Sequence, residues 1–213
     1  MRVERLIDMA EDQLIDPAHE RWSISELLQY ISDGQREVVI LRPEAYTRTL
    51  AVTMEPGSTQ RLEGRALAFV TAIRTTNSSG QRAARRIDRS ALDAMVPNWR
   101  AQSPTNEVRG FWHDDRDPRV FYVVPPQDGT ALLEVVASFA PDPVEDETDE
   151  LQIPEIFDTA MFYYMIYRAL AREGDEGEQD AMVWYQKFRM AVMGREEAAQ
   201  RTHPGAMQRR VES

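Results

Sequence analysis

The stretch Ser23-Ile24-Ser25-Glu26-Leu27-Leu28-Gln29-Tyr30-Ile31-Ser32-Asp33-Gly34-Gln35-Arg36-Glu37-Val38-Val39-Ile40-Leu41-Arg42-Pro43 decides how this chain folds. Ser23 is a good helix N-cap, and Glu26 three residues on completes a capping box. Trp22, just before the cap, is placed to staple onto Leu27. Ile24, Leu27, Leu28, Ile31, Val38 and Val39 share one helical face, with Gln35 as its polar interruption. Pro43 closes the helix. Gly34 in its interior costs about 1 kcal/mol relative to alanine, so it marks close packing of another backbone or a slight bend.

Toward the N-terminus, Val3, Leu6, Ile7, Ala10 and Leu14 give one face of a helix over 2–15, ended by Asp16-Pro17. Toward the C-terminus the pattern changes at Thr47 to short strands. These are expected at 47–54, 58–62, 68–75, 82–87, 108–113, 119–124 and 132–139, with a tight turn or single helical turn at 64–67 and a short helix at 90–95. Asp114 to Pro118 reads as the turn of a hairpin, and Pro125-Pro126 with Asp128-Gly129 as the next turn. Leu133, Val135, Ala137 and Phe139 line one face of the last strand. Residues 141–150 form an acidic, proline-containing connection. Pro154 opens a helix with Phe157, Ala160, Met161, Tyr164 and Arg168 on one face. After a break at 174–177, Ala181, Trp184, Tyr185, Phe188 and Val192 mark a final helix with Gly194 at its C-cap. Residues 195–213 lack an apolar period and read as a flexible tail. The expected fold is therefore α+β. A helical bundle is built from residues 1–46 and 151–194, with a central antiparallel β insertion at 47–150 and a tail at 195–213.

Composition narrows what such a chain does. It has 213 residues, 42% hydrophobic and 29% charged, a formal net charge of -11 and no cysteine. That suits one domain, or one domain with an appendage, able to bury a core without disulfides or metals. Thiolate chemistry is excluded. The charge balance argues against a large nucleic-acid-binding patch. No apolar run approaches membrane-spanning length, so no membrane partner is expected. The start of the chain leads into an amphipathic helix and not a signal-peptide apolar region, which places the protein where it is made or in something assembled there.

No catalytic constellation emerges. His19, His113 and His203 lie in separate segments without metal-ligand spacing, and no nucleophile elbow, P-loop or dinucleotide fingerprint is present. No catalytic residue, metal ligand or cofactor is expected. The sharpest alternative is a metal-dependent hydrolase built on Asp114, Asp115 and Asp117 beside His113. Against it, aspartates belong in turns, and metal sites draw carboxylates from several elements. The acidic set Glu145, Asp146, Glu147, Asp149 and Glu150, with Asp142, is a solvated linker or a negative surface. In a ring it would face a lumen and repel DNA phosphates. The C-terminal aromatics fit a helix core and an interface better than base stacking. Arg82, Arg85, Arg86 and Arg89 form the one basic cluster, an exposed strand face or a contact for acidic neighbours or phosphates.

A family resemblance rests on several stretches together. Ser25 to Val39 with Arg42-Pro43 resembles the first long helix of podophage-type head-to-tail adaptor proteins, the group related to tail tubular protein A. Asp115-Arg116-Asp117-Pro118-Arg119-Val120-Phe121-Tyr122-Val123-Val124-Pro125-Pro126 is similar to that group's hairpin. Leu151-Gln152-Ile153-Pro154-Glu155-Ile156-Phe157, the helix through Tyr167-Arg168-Ala169, and Trp184-Tyr185-Gln186-Lys187-Phe188 resemble its C-terminal helices. One departure is at Gln60 and Leu62, where Glu63-Gly64 replaces the group's Leu-Pro. The resemblance spans residues 5–193. It implies a structural, non-enzymatic subunit of a tailed bacteriophage, in a ring of twelve between the portal protein and a tail nozzle or tail tube protein, through which double-stranded DNA passes. Another connector position, such as a stopper, is the alternative within the virion, and a plain cytoplasmic interaction module the alternative outside it. The implied location is the virion neck, and the host cytoplasm during assembly. In that frame Arg195, Arg201, His203, Pro204, Met207, Arg209, Arg210 and Val211 would bind the portal. The hairpin tip Asp114, Asp115, Arg116 and Asp117 would face the tail, and the acidic set 145–150 the lumen.

Overall fold

The computed structural model describes residues 2–77, 80–114, 116–173 and 175–202. The chain divides into two compact units: Met1–Ala45 with Pro141–Ser213, and Tyr46–Ala140. The fold is α+β, with helices in the first unit and two four-stranded sheets in the second.

In the helical unit, α1 (Val3–Leu14) ends on Ile15 in the left-handed conformation. The Asp16 carboxylate then accepts the N–H groups of Glu20, Arg21 and Trp22, each at 3.0 Å. Those donors, Trp22's first, hold the Asp16 carboxyl below the ordinary aspartate range despite its burial. This is the joint that turns the chain from α1 into α2 (Ile24–Leu41). The expected capping box is complete, with Ser23 and Glu26 bonded reciprocally. Trp22 and Leu27 are both buried, and the Trp22 indole N–H donates to the Ala169 carbonyl at 3.1 Å.

After Pro154 comes a single 3₁₀ turn, then α4 (Asp158–Ala171), which buries Ala160, Met161, Tyr164, Met165, Ile166 and Ala169. Gly34 of α2 is a point of close approach by α4. A Cβ there would lie 2.8 Å from Met161 Cε and 2.9 Å from the Tyr164 ring. Close packing, by side chains and not by backbone, therefore explains this glycine. Asp33 beside it pairs with Arg168 at 2.8 Å, and Arg172 pairs with Glu26 at 2.8 Å.

The final helix, α5 (Asp175–Thr202), departs from expectation at both ends. Gly177 is not part of the break but lies in the first turn, where a Cβ would meet the Leu170 carbonyl oxygen at 2.5 Å. Nor is Gly194 a C-cap: the helix runs through it to Thr202. Residues 195–202, Arg-Glu-Glu-Ala-Ala-Gln-Arg-Thr, include mostly strong helix formers, and their propensity outweighs one glycine. The expected tail thus starts as helix, and residues 203–213 lie outside the described residues. Ala181, Phe188 and Val192 are buried, and Tyr185 donates to Glu37 of α2 at 3.1 Å.

In the β unit, β1 (Thr47–Thr53), β8 (Leu132–Phe139), β3 (Ala66–Asn77) and β4 (Gly80–Ala83) form one sheet in that order. β2 (Gly57–Arg61), β7 (Val120–Gln127), β6 (Gly110–His113) and β5 (Arg85–Arg86) form the other. Pairing is antiparallel except between β5 and β6. The inner faces share one core. Phe69 of β3 stacks on Phe121 of β7 at 4.4 Å and meets Phe111 of β6 edge-on at 5.6 Å. On alternate residues of the same strands, Trp112 stacks on Tyr122 at 4.0 Å, covered by Leu92 of α3 (Arg89–Met95) and Trp99.

The single strand expected over 82–87 is instead two. β4 ends at Ala83, the Ala84 N–H donates to Ile73 of one sheet, and the Arg85 N–H donates to Arg109 of the other. The chain changes sheets across one residue. Nor do Pro125 and Pro126 end β7, which continues to Gln127. The prolines fall beyond the β6 ladder and within the register shift against β2, where no ladder N–H is required. At 64–67 the tight-turn expectation holds only for Gly64 and Arg65, since β3 begins at Ala66. Arg119 closes that turn by donating to the Leu62 and Gly64 carbonyls at 2.8 and 3.1 Å. Gln60 is buried and clamps the preceding turn through Glu55 N–H and the Glu55 and Gly57 carbonyls.

Gly34→Val is expected to destabilise the chain by about 1–3 kcal/mol through overpacking against α4, read by urea denaturation. Gly194→Ala should stabilise it, by up to about 1 kcal/mol, because the position is helical and open. A loss of stability on that substitution would restore the C-cap reading.

Candidate functional site

Three stretches singled out from the sequence carry charge or project as turns. The Asp114 turn joins β6 to β7. The Asp114 carboxylate accepts the Arg116 N–H at 3.0 Å, and its carbonyl accepts the Asp117 N–H at 3.1 Å. Asp117 pairs with Arg61 of β2 at 3.1 Å, and Asp115 lies outside the described residues. Turn geometry and a neighbouring arginine thus account for the two described carboxylates. Among the described residues no group of three His, Asp or Glu side chains could hold a metal ion.

The acidic run is no loose linker. It packs with the helical unit, so residues 141–150 end no β insertion but fold with α1 and α2. The Val144 N–H donates to Ser32 Oγ of α2 at 2.9 Å, and the Gln152 N–H to Gln35 Oε1 at 2.7 Å. The first N–H groups of α1, those of Val3 and Glu4, donate to the Asp149 and Glu147 carbonyls at 3.0 and 2.9 Å. Those α1 donors would otherwise be orphaned. Within the loop, Asp149 accepts from the Glu145 and Asp146 N–H groups, and Asp146 from the Thr148 N–H and hydroxyl. The Thr148 donors hold Asp146 below the ordinary aspartate range. A rigid loop therefore displays Glu145 and Glu150 exposed and Glu147 half-buried. Beside it opens a cleft of about 590 Å³ against Leu28, Ser32, Asp33 and Arg36 of α2. Ser32 and Gln35, which hold the loop, carry no local sequence signal for that role.

Of the basic cluster, Arg82 pairs with Glu107 at 2.7 Å and Arg89 with Asp93 at 3.4 Å, while Arg89 also lies over the Trp112 ring. Arg85 and Arg86, on the edge strand β5, are exposed and have no acidic partner among the described residues. The C-terminal aromatics pack on one another, as Tyr164 with Phe188 at 5.0 Å and Tyr167 with Tyr185 at 4.8 Å. Arg195 and Arg201 lie in α5. His203, Pro204, Met207, Arg209, Arg210 and Val211 lie outside the described residues.

Charge is divided sharply between the units. Residues 46–140 contain 12 Lys and Arg against 10 Asp and Glu, net +2; the remainder contain 13 against 26, net -13. No helix among the described residues is long and apolar enough to cross a membrane. What the fold offers is charged surface and ordered turns. The model of the SU10 adaptor protein family matches residues 1–210, and the chain belongs to that family. The match agrees with the resemblance to phage head-to-tail adaptors drawn from the sequence and makes the protein a phage structural adaptor, a component of the virion neck. Comparison with curated proteins found no match.

If the Asp114 turn is structural, Asp117→Asn and Arg61→Ala each change stability by less than about 1 kcal/mol, and millimolar Mg²⁺ or Ca²⁺ leaves the melting temperature unmoved. A rise in melting temperature with Mg²⁺ that Asp117→Asn abolishes would point back to a metal site.

Proposed function

We propose that the chain joins a phage head to its tail as one subunit of a closed ring of twelve, set between portal and tail nozzle or tube, around the path of double-stranded DNA. The family match over residues 1–210 carries this reading. In it the helical unit acts as a bundle forming the channel wall. Its net charge of -13 suits that place, because a negative wall repels phosphates and lets DNA pass without adhering. The β unit, with its Asp114–Asp117 tip, serves the tail side. The subunit does no chemistry and needs no cofactor.

The portal contact falls to the C-terminal end. Arg195 and Arg201 belong to the C-terminal end of α5, so the portal-binding segment, which continues through His203, Pro204, Met207, Arg209, Arg210 and Val211, begins as helix. A helical lead-in reduces the ordering cost of docking.

Deleting residues 203–213, or 195–213, is expected to leave the melting temperature and circular dichroism of the remaining chain near wild type while abolishing incorporation on portal particles in negative-stain images. Co-assembly of both truncations with portal at wild-type occupancy would remove the C-terminus from the portal contact. Absence of any ring with the full chain would remove the adaptor reading itself.

A further inference from the structure

Two sets of charges in this chain sit on ordered backbone and have no oppositely charged partner among the described residues. On the β unit, Arg85 and Arg86 are fixed by the backbone of β5 against Gly110 and Phe111 of β6, at the free edge of their sheet. On the helical unit, Glu145, Glu147 and Glu150 are fixed by the Asp146 and Asp149 turns and by the α1 N-terminus. None of these five side chains has an ion pair among the described residues. Both arginines, Glu145 and Glu150 are exposed and Glu147 half-buried.

We propose that the Arg85–Arg86 edge docks onto the acidic loop 145–150 of a second copy of this chain. This rests on the reading that copies assemble, and it names the surfaces through which they do so. Charge complementarity selects the occupant. Two helical units, each at net -13, repel one another, and two β units at net +2 gain nothing, whereas the β unit of one copy attracts the helical unit of the next. The pairing is heterologous, with different patches on the two sides, and such contacts repeat around a ring when the rotation closes. Each patch is presented by backbone that is already ordered, so docking immobilises little beyond the five side chains. The edge also has to be managed, because a strand with a free side invites unwanted pairing. Two adjacent arginines leave β5 closed to strand addition and open to carboxylates.

The test uses two charge-reversed variants of the full chain, R85E/R86E and E145K/E150K. Their assembly is followed by mass photometry and negative-stain imaging, alone and with the cognate portal protein, at low and high salt. All four positions are exposed, and circular dichroism confirms that each variant folds. Each variant by itself is expected to lose ring assembly. An equimolar mixture should regain it, because every edge then meets a loop of opposite charge in alternating subunits. Wild-type assembly should weaken as salt rises. If the wild-type chain forms rings and both variants do so equally well, the proposed contact is wrong while the adaptor reading stands; this is also the result expected if loop 145–150 faces the lumen. If each variant fails and the mixture fails too, the two patches do not meet and the proposal falls. If the wild-type chain forms no ring under any of these conditions, the adaptor reading falls and takes the proposal with it.

Discussion

The seam between α2 and α4 is the constraint on which the helical unit depends. It joins segments more than a hundred residues apart, and it works because residue 34 has no side chain. Met161 and Tyr164 occupy the space a Cβ would need. From that contact toward the N-terminus of α2 and the C-terminus of α4 the seam is tied by charge, Asp33 to Arg168 and then Glu26 to Arg172. The first pair is about two-thirds sheltered and works alongside the Tyr30 ring that Arg168 covers. The second is more exposed and contributes little alone. Shape complementarity at Gly34 sets the register, and the ion pairs hold it.

The β unit obeys a different constraint. Its chain leaves one sheet and enters the other several times, and each passage must preserve the alternation of inward and outward side chains. At Ala84 this happens within one residue. Arg85 and Arg86 consequently emerge on an edge, and Ile87 enters the Trp99–Trp112 cluster. The aromatic face covered by α3 is what anchors that edge.

Much of this was legible in the sequence wherever the signal was local. The capping box, the run Leu132–Phe139, the hairpin around Asp114 and the C-terminal aromatic periodicity all announce themselves within a few residues. The failures share one cause. The Ala84 crossing contains no turn residue, the strand through Pro125-Pro126 looks like its own end, and Gly194 looks like a cap because its helix-forming successors carry no apolar period. Gln35 reads as a polar interruption of a helix face and Ser32 carries no signal of its own, yet they are the acceptors that hold the acidic loop. A hydrogen bond between residues 112 apart leaves no trace in the neighbourhood of either. That Arg85 and Arg86 have no acidic partner among the described residues is equally invisible, since it depends on what the fold brings near them.

The fastening of α1 to the loop at 147–149 also sets a timetable. Neither α1 nor α2 can complete its contacts until the ribosome has delivered the acidic loop and α4, and by then all of the β unit has been made. The inserted sheets have every residue they need by Ala140. On a growing chain, the β unit is therefore free to fold first, while α1 and α2 wait with their apolar faces uncovered for partners encoded after it. The helical unit, with its acidic loop, is finished only after α4 has been made. A nascent chain thus presents an arginine edge before it presents the glutamates that would receive one, so it can be captured by a finished neighbour before it can capture.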